Sequence, residues 1–170
     1  MSFCYDCGLP APRRGGPPTC PDHGARWKLV RNACAADVVV VRDGEVLLTR
    51  RARDPFRGRW EVPGGMQQLG EHPAQAAHRE LWEELQITVR LTGLLGFYID
   101  PFEDGACQTT VFIGETDSTP TVASDEITEW RWFSPLTLPA SEAMAWTHRQ
   151  RLDDWQEALA GGSPPALGLS

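Results

Sequence analysis

The sequence predicts an α/β fold in which a mixed sheet lies between two helices. Strand-like runs of β-branched and aromatic residues surround one helical segment, residues 73–85, and a second helical pattern follows at residues 141–159. The chain has 170 residues and 41% apolar content, which is enough for one ordinary core. Strands that are interrupted by one helix and closed by another indicate a mixed sheet with helices on its faces.

The elements of this sheet are separated by turn signals. The β-branched run at 36–41 is typical of a buried strand, and Asp43-Gly44 marks a hairpin turn before residues 45–49. A short strand at 60–63 should lead into a tight turn at Gly64-Gly65. In the last helix we expect Ser141 as the N-cap and His148 packed beside the core. The remaining strands are expected at 88–99, 108–114 and 129–133.

Composition limits the possible functions. The net charge of -7 argues against nucleic-acid binding, which needs a basic surface. No stretch approaches the roughly 20 apolar residues of a membrane span, and the N-terminus lacks a secretory pattern. We therefore expect no membrane partner and a cytoplasmic location. Residues 161–170 are rich in Gly, Pro and Ser and are predicted to be a disordered tail.

Three glutamates dominate the first predicted helix. Glu80, Glu83 and Glu84 stand at i, i+3 and i+4, so they share one face within an arc of about 100°. Arg79 can pair with Glu83 at i,i+4, whereas Glu80 and Glu84 repel each other. A solvated acidic face is the ordinary explanation for such a run of glutamates. Here, however, one arginine is insufficient to offset the charge of three carboxylates by salt bridges. Hard oxygen ligands that converge from one helix suit Mg²⁺ or Mn²⁺.

The stretch from Gly65 to Ile87 resembles the Nudix box, G-x5-E-x7-R-E-U-x-E-E-x-G-U, in which U is a bulky apolar residue. One position departs from it, because Gln86 stands where the family has Gly. A residue other than Gly at a helix end with positive φ costs about 1 kcal/mol but removes no ligand. The resemblance covers about residues 33–160 and implies the Nudix α/β/α sandwich.

The same resemblance implies hydrolysis of a nucleoside diphosphate linked to another group, by attack of water on phosphorus. Its metal ligands would be Glu80, Glu83, Glu84 and the backbone carbonyl of Gly64, with Glu71 as a ligand or a supporting group. Arg79 would orient a carboxylate such as Glu71. The general base stays open between Glu83, Glu84 and Glu126, the last being on the loop before residue 129.

Four potential zinc ligands occur in residues 1–30. Cys4 and Cys7 form C-x2-C, and Cys20 and His23 form C-x2-H, each pair being followed by Gly. A Cys3His set is a closed tetrahedral shell, so a structural zinc is favoured over a disordered tail. The segment resembles the zinc ribbon of NADH pyrophosphatase-type Nudix proteins, although His23 replaces the more usual Cys. Cys34 is a substitute ligand, and Cys107 is predicted to be a buried thiol.

Substrate recognition is the least determined feature. Arg51 and Arg57 are candidates to meet phosphate oxygens, and Trp60 and Tyr98 to stack on a base. Residues 96–105 read GFYIDPFEDG and lack the S-Q-P-W-P-F-P-x-S motif of NADH pyrophosphatases. That absence counts against NADH as the preferred substrate. ADP-ribose or a nucleotide sugar is the favoured substrate, and NADH, another dinucleotide or a nucleoside triphosphate is the alternative. A ligand-binding module without catalysis is the non-enzyme alternative, and we expect the ribbon to have a structural or homodimer-forming role.

Overall fold

The computed structural model describes residues 2–4, 6–12, 19–25, 27–29, 32–102 and 105–161. Two short strands, β1 (Ser2–Cys4) and β2 (Trp27–Leu29), pair antiparallel in a sheet of their own near the N-terminus. The predicted tail at 161–170 lies, apart from Gly161, outside the described residues.

Seven strands form the main sheet, namely β3 (Ala33–Arg42), β4 (Glu45–Arg51), β5 (Trp60–Glu61), β6 (Gly64–Met66), β7 (Arg90–Phe102), β8 (Gly105–Glu115) and β9 (Ile127–Phe133). The strand order is β5-β4-β3-β8-β7, while β6 pairs with β3 and β9 with β4. Strands β3 and β8 run parallel from Ala33 opposite Cys107 to Val41 opposite Glu115, and the other pairings are antiparallel. The sheet is therefore mixed, as predicted.

Two helices, α1 (Pro73–Leu85) and α2 (His148–Leu159), cover opposite faces of this sheet. Strand β3 contributes side chains to the hydrophobic clusters on both faces of the sheet, because successive side chains of a strand point to opposite faces. Val38 and Val40 pack in the cluster that contains Leu81 of α1, while Val39 packs in the one that contains Leu152 of α2. This arrangement confirms the α/β/α sandwich.

Helix α1 has the bounds that the sequence predicts, and its two caps are local. His72 is the N-cap, and its ring Nδ1 accepts a hydrogen bond from the backbone N–H of Ala74. The backbone N–H of His72 donates to the side-chain oxygen of Gln75. At the other end Gln86 has φ of +55°, in the left-handed region. The position that the family reserves for Gly therefore has the expected backbone conformation.

Two predicted elements are wrong in detail. The last helix begins at His148 and not at Ser141, which starts a single 3-10 turn at Ser141–Ala143 instead of capping a long helix. The cause is tertiary, because the Ala145 N–H donates to the Trp60 carbonyl and draws this segment to the sheet. Gly64 and Gly65 form strand β6 rather than a tight turn. Neither described helix is long and apolar enough to cross a bilayer.

Candidate functional site

A cavity of about 510 Å³ lies where α1 faces strand β6 and the start of α2. The three glutamates on the acidic face of α1 all line this cavity. Six of the candidate catalytic, metal-ligating and substrate-binding residues line it, namely Gly64, Glu80, Glu83, Glu84, Glu126 and Arg51.

Two glycines allow β6 to lie directly between β3 and α1. A Cβ on Gly64, which has φ of +150°, would be 2.4 Å from the Ala36 carbonyl oxygen. A Cβ on Gly65 would be 2.6 Å from the carboxyl carbon of Glu80. Position 64 requires Gly, because the nearest contacted atoms are backbone and φ is positive. At position 65 a Cβ would displace the end of the Glu80 side chain from its place. The backbone of β6 is thereby held against a carboxylate of the acidic face.

Arg79 joins the carboxylates around the helix. Its guanidinium donates to both oxygens of Glu71 at 2.9 Å, to Glu80 at 2.8 Å and to Glu83 at 2.9 Å. The bidentate bond to Glu71 is the one expected from the sequence, and it lowers the pKa of Glu71 to about 2. The bond to Glu80 was not expected, because adjacent helical residues point about 100° apart. The long arginine side chain spans that angle and fixes three carboxylates.

Glu84 is the buried member of the acidic face. Its side chain is 6% exposed, and its Oε2 has no hydrogen-bond partner among the described residues. Burial raises the pKa of Glu84 well above its usual range, and burial also raises that of Glu80. A buried carboxylate oxygen without a donor is costly unless it meets a cation. The donor set of Glu80, Glu83 and Glu84 consists only of hard oxygen atoms, so it fits Mg²⁺ or Mn²⁺.

A buried ionic network lines the cavity beside the glutamates, and sequence reasoning missed it. The guanidinium of Arg151 donates to Asp37 and to Asp100, and its Nη1 lies 2.8 Å from Nε2 of His148. Burial raises the pKa of Asp37 to about 7, and burial lowers that of His148 well below its usual range. His148 Nδ1 accepts a hydrogen bond from Val62 N–H, so the ring is a packed structural group as predicted. Asp37 within an otherwise apolar strand was the available sequence signal.

Three of the predicted substrate contacts do not line the cavity. Trp60 packs edge-on against Phe133 with ring centroids 5.0 Å apart, and the Tyr98 hydroxyl donates to Asp154 at 2.7 Å. Arg57 is exposed and also lies outside the cavity lining. Their positions do not support the sequence-based assignment. An aromatic residue that the sequence did not single out, Trp146, lines the cavity instead.

The four predicted zinc ligands converge near the N-terminus. Cys4 Sγ lies 4.0 Å from His23 Nδ1, Cys20 Sγ lies 3.7 Å from that atom, and the Cys7 and Cys20 sulfurs are 3.9 Å apart. All four ligand atoms lie within 4.8 Å of one another, and no other group of three or more acidic, Cys or His residues in the described ranges is as tight. Cys34 is exposed and takes no part in this cluster.

The two turns that supply this cluster have the same backbone conformation and the same backbone hydrogen bond. The N–H of Gly8 donates to the Cys4 carbonyl at 2.9 Å, and the N–H of Gly24 donates to the Cys20 carbonyl at 2.8 Å. Both glycines have positive φ, of +73° and +64°. Each C-x2-C or C-x2-H turn is thus closed by a left-handed Gly that aims two ligand atoms at one point. Cys107, in contrast, is a buried thiol of β8, as predicted.

Comparison with known proteins decides the family. The NUDIX domain profile matches residues 31–156 of the chain. The chain belongs to the Nudix family. An ADP-ribose pyrophosphatase of Methanocaldococcus jannaschii is 31% identical over 72% of this chain and 72% of its own length. A MutT-like protein of Streptomyces ambofaciens is 35% identical over 79% of this chain and 81% of its own length.

Solved structures agree on the Nudix fold. A NUDIX hydrolase from Nitrosomonas europaea superposes with a TM-score of 0.75 at 24% identity, over 98% of this chain and 97% of that one. The Nudix box lies on β6, α1 and the loop between them, with its glutamates facing the cavity. The chain is accordingly a Nudix pyrophosphohydrolase, an enzyme that acts on phosphorus-containing acid anhydrides.

Proposed function

We propose that this Nudix hydrolase cleaves the diphosphate bond of a nucleoside diphosphate joined to a sugar, with ADP-ribose as the favoured substrate. The observation that carries the proposal is that Glu80, Glu83 and Glu84 line the same cavity as Arg51. Two kinds of contact suit a diphosphate. Cations lie between it and the carboxylates, and a hydrogen-bond donor binds it from the other side. The relative named ADP-ribose pyrophosphatase supports the choice of substrate.

Glu80, Glu83, Glu84 and the carbonyl of Gly64 would hold Mg²⁺ or Mn²⁺ at one end of the cavity. Bound there, the ions would neutralise charge on the phosphate oxygens as the bond breaks. We assign Glu71 a supporting role through Arg79 rather than a place among the ligands. Both of its oxygens are already engaged, Oε1 by Arg79 and Oε2 by Arg79 and the Gln68 N–H.

Three carboxylates are candidates to accept the proton of the attacking water. Glu83 and Glu84 lie on the acidic face of α1, and Glu126 reaches the same cavity from the loop before β9. The side chain of Glu126 is 58% exposed, and one of its oxygens accepts a hydrogen bond from Arg53 at 3.0 Å. An exposed carboxylate at the rim can exchange its proton with solvent. A Glu126→Gln variant that keeps metal affinity but loses kcat would identify it as the base.

We also propose that Cys4, Cys7, Cys20 and His23 bind one structural Zn²⁺ ion. Four protein ligands complete a tetrahedral shell and leave no open position for substrate, so the ion stabilises the fold of residues 1–30. Residues 33–160 then form the catalytic domain. A cytoplasmic location and a homodimer stay predictions from the sequence.

The experiment is a substrate panel with purified protein and added Mg²⁺ or Mn²⁺. ADP-ribose, nucleotide sugars, NADH, other dinucleotides and nucleoside triphosphates are incubated separately, and the products are separated by chromatography. We expect metal-dependent release of AMP and ribose 5-phosphate from ADP-ribose at the highest kcat/KM. A matched control is Glu45→Gln, which alters an exposed glutamate that does not line the cavity and should leave turnover unchanged.

Two results would contradict the proposal. If no member of the panel is cleaved with either metal, the enzyme is not a diphosphate hydrolase of this class. If nucleoside triphosphates are hydrolysed at the highest kcat/KM and ADP-ribose is not, the bond type stands but the substrate is wrong.

A further inference from the structure

Trp146 occupies the segment before α2, which no sequence pattern marks as functional. It lines the same cavity as Glu80 and Glu84. Its φ is +38°, a value that a bulky side chain rarely adopts. Backbone conformations of this kind persist only where the surrounding structure fixes them, and they concentrate at ligand sites.

The residues on both sides of Trp146 are tied to the sheet. The N–H of Ala145 donates to the Trp60 carbonyl at 2.8 Å. The N–H and the hydroxyl of Thr147 donate to Oδ1 of Asp100 at 3.0 and 2.6 Å. Asp100 is itself buried, so these bonds are sheltered from water. The indole is thus held at a fixed place beside the cavity.

The faces and edge of the indole already contact protein groups. The guanidinium carbon of Arg51 lies 4.5 Å from the ring centroid. The ring of His148 stacks against the indole, with centroids 5.6 Å apart and an interplanar angle of 27°, and Phe56 contacts it edge-on at 5.0 Å. This packing favours a role in holding Arg51 over a role as an open platform for a nucleobase.

Among the arginines that line the cavity in the described part of the chain, Arg51 is the one with a terminal amino group that makes no hydrogen bond. Its Nε donates to the Pro55 carbonyl and its Nη1 to Glu61, both at 2.8 Å. Its Nη2 donates to no residue in the described part of the chain. Arg53 and Arg151, which also line the cavity, donate to carboxylates from both of their amino groups, and the unpartnered Nε of Arg151 is buried. Arg51 therefore offers one amino group to an anion that enters.

We infer that Trp146 is a positioning residue that holds the guanidinium of Arg51 so that Nη2 donates to a phosphate oxygen of the substrate. The inference rests on the proposed function and adds the group that binds the diphosphate opposite Glu80, Glu83 and Glu84. A planar guanidinium suits a phosphate, and contact with an aromatic face restrains it at little cost to its charge. Without the indole, Arg51 would keep its two hydrogen bonds but gain rotational freedom.

The test measures binding of the Mg²⁺ complex of methylenediphosphonate, a diphosphate that cannot be hydrolysed, by titration calorimetry. We expect Arg51→Gln and Trp146→Leu each to weaken binding about tenfold. The double variant should bind no more weakly than Arg51→Gln, because Trp146 acts only through Arg51. Trp146→Phe keeps an aromatic face and should stay within about threefold of the unaltered protein. Phe97→Leu, an exposed aromatic of the edge strand β7, is the matched control.

Turnover gives a second readout, in which Trp146→Leu should raise KM while kcat stays within about twofold. Additive losses in the double variant, or no binding of the diphosphonate by the unaltered protein, would overturn the inference. So would weaker binding of AMP by Trp146→Leu with unchanged binding of the diphosphonate, since that pattern indicates contact with the base. A protein that binds the diphosphonate as predicted but cleaves nothing in the substrate panel would contradict the proposed function alone.

Discussion

The two candidate metal sites of this chain are built in opposite ways. The Cys4, Cys7, Cys20 and His23 ligands come from two short turns with identical backbone bonds, and their ligand atoms lie within 4.8 Å of one another. The glutamates of α1 are spread around a cavity, and Arg79 and the surrounding core hold them. A closed set suits a metal that stabilises the fold, whereas an open set suits one that shares its shell with substrate.

Loss of a zinc ligand should have the largest effect. We expect Cys20→Ser to lower the zinc content from about one ion per chain to nearly none, since such sites contribute on the order of 10 kcal/mol of folding free energy. The kcat of the hydrolysis reaction should change less than about twofold. Elemental analysis and steady-state kinetics measure the two effects. Cys34→Ser, outside the cluster, should keep its zinc, and a zinc-free but folded wild-type protein would contradict the assignment.

Loss of a metal ligand on α1 should lower turnover and leave zinc binding and folding unchanged. We expect Glu83→Gln to lower kcat by about a thousandfold or more, because a carboxylate that holds the cation is replaced by a neutral amide. The zinc content and the thermal unfolding midpoint should not change. Kinetics with ADP-ribose, together with calorimetric unfolding, provide the check. An equal fall in kcat and in the unfolding midpoint would mean that Glu83 is structural.

Arg79 should affect metal affinity more than folding. Lysine cannot reproduce the bidentate bond to Glu71 or reach Glu80 and Glu83 together, so Arg79→Lys should weaken Mn²⁺ binding about 10- to 100-fold. Mn²⁺ titration followed by electron paramagnetic resonance measures this change. Unaltered Mn²⁺ affinity would show that the carboxylates are positioned without Arg79.

The buried Glu84 should couple metal binding to pH. Its folded pKa is raised by burial, so folded protein holds this proton to a higher pH than the unfolded chain does. Its contribution to stability is therefore present below the unfolded pKa and lost as pH rises through the folded pKa. Cation binding requires the ionised form, so Mn²⁺ affinity should fall as pH falls, by up to about tenfold per pH unit. Glu84→Gln should bind Mn²⁺ weakly at every pH, and an unchanged slope in this variant would implicate another group.

The smallest effect concerns the end of α1. Gln86 has φ of +55°, so Gln86→Gly should raise the free energy of unfolding by about 0.5 to 1 kcal/mol. The gain is limited because the Gln86 side chain donates to the Trp82 carbonyl at 2.7 Å. Urea unfolding measures the difference, and kcat should be unaffected. Gln86→Ala is the control and should be destabilising, since it loses the bond and keeps the strain.

The sequence predicts those features whose causes are local. The sequence predicts the bounds of α1 to the residue, because its periodicity, Pro73 and the residue at position 86 all lie within one short segment. The predicted start of α2 is seven residues too early, since the bond between Ala145 and Trp60 that prevents an earlier start joins distant parts of the chain. The pairing of Arg151 with Asp37 spans 114 positions, and no periodicity reports it.

Gly65 sets a limit on how this enzyme can acquire new specificity. A methyl group there would displace the carboxylate of Glu80, a proposed metal ligand, so variants at position 65 should lose turnover whatever the substrate. Variation is more tolerable where side chains line the cavity from loops without a role in positioning Arg51, as Asp54 and Ser124 do. New substrates are therefore most accessible through the segments before β5 and before β9, while the strand beside the glutamates is kept unchanged.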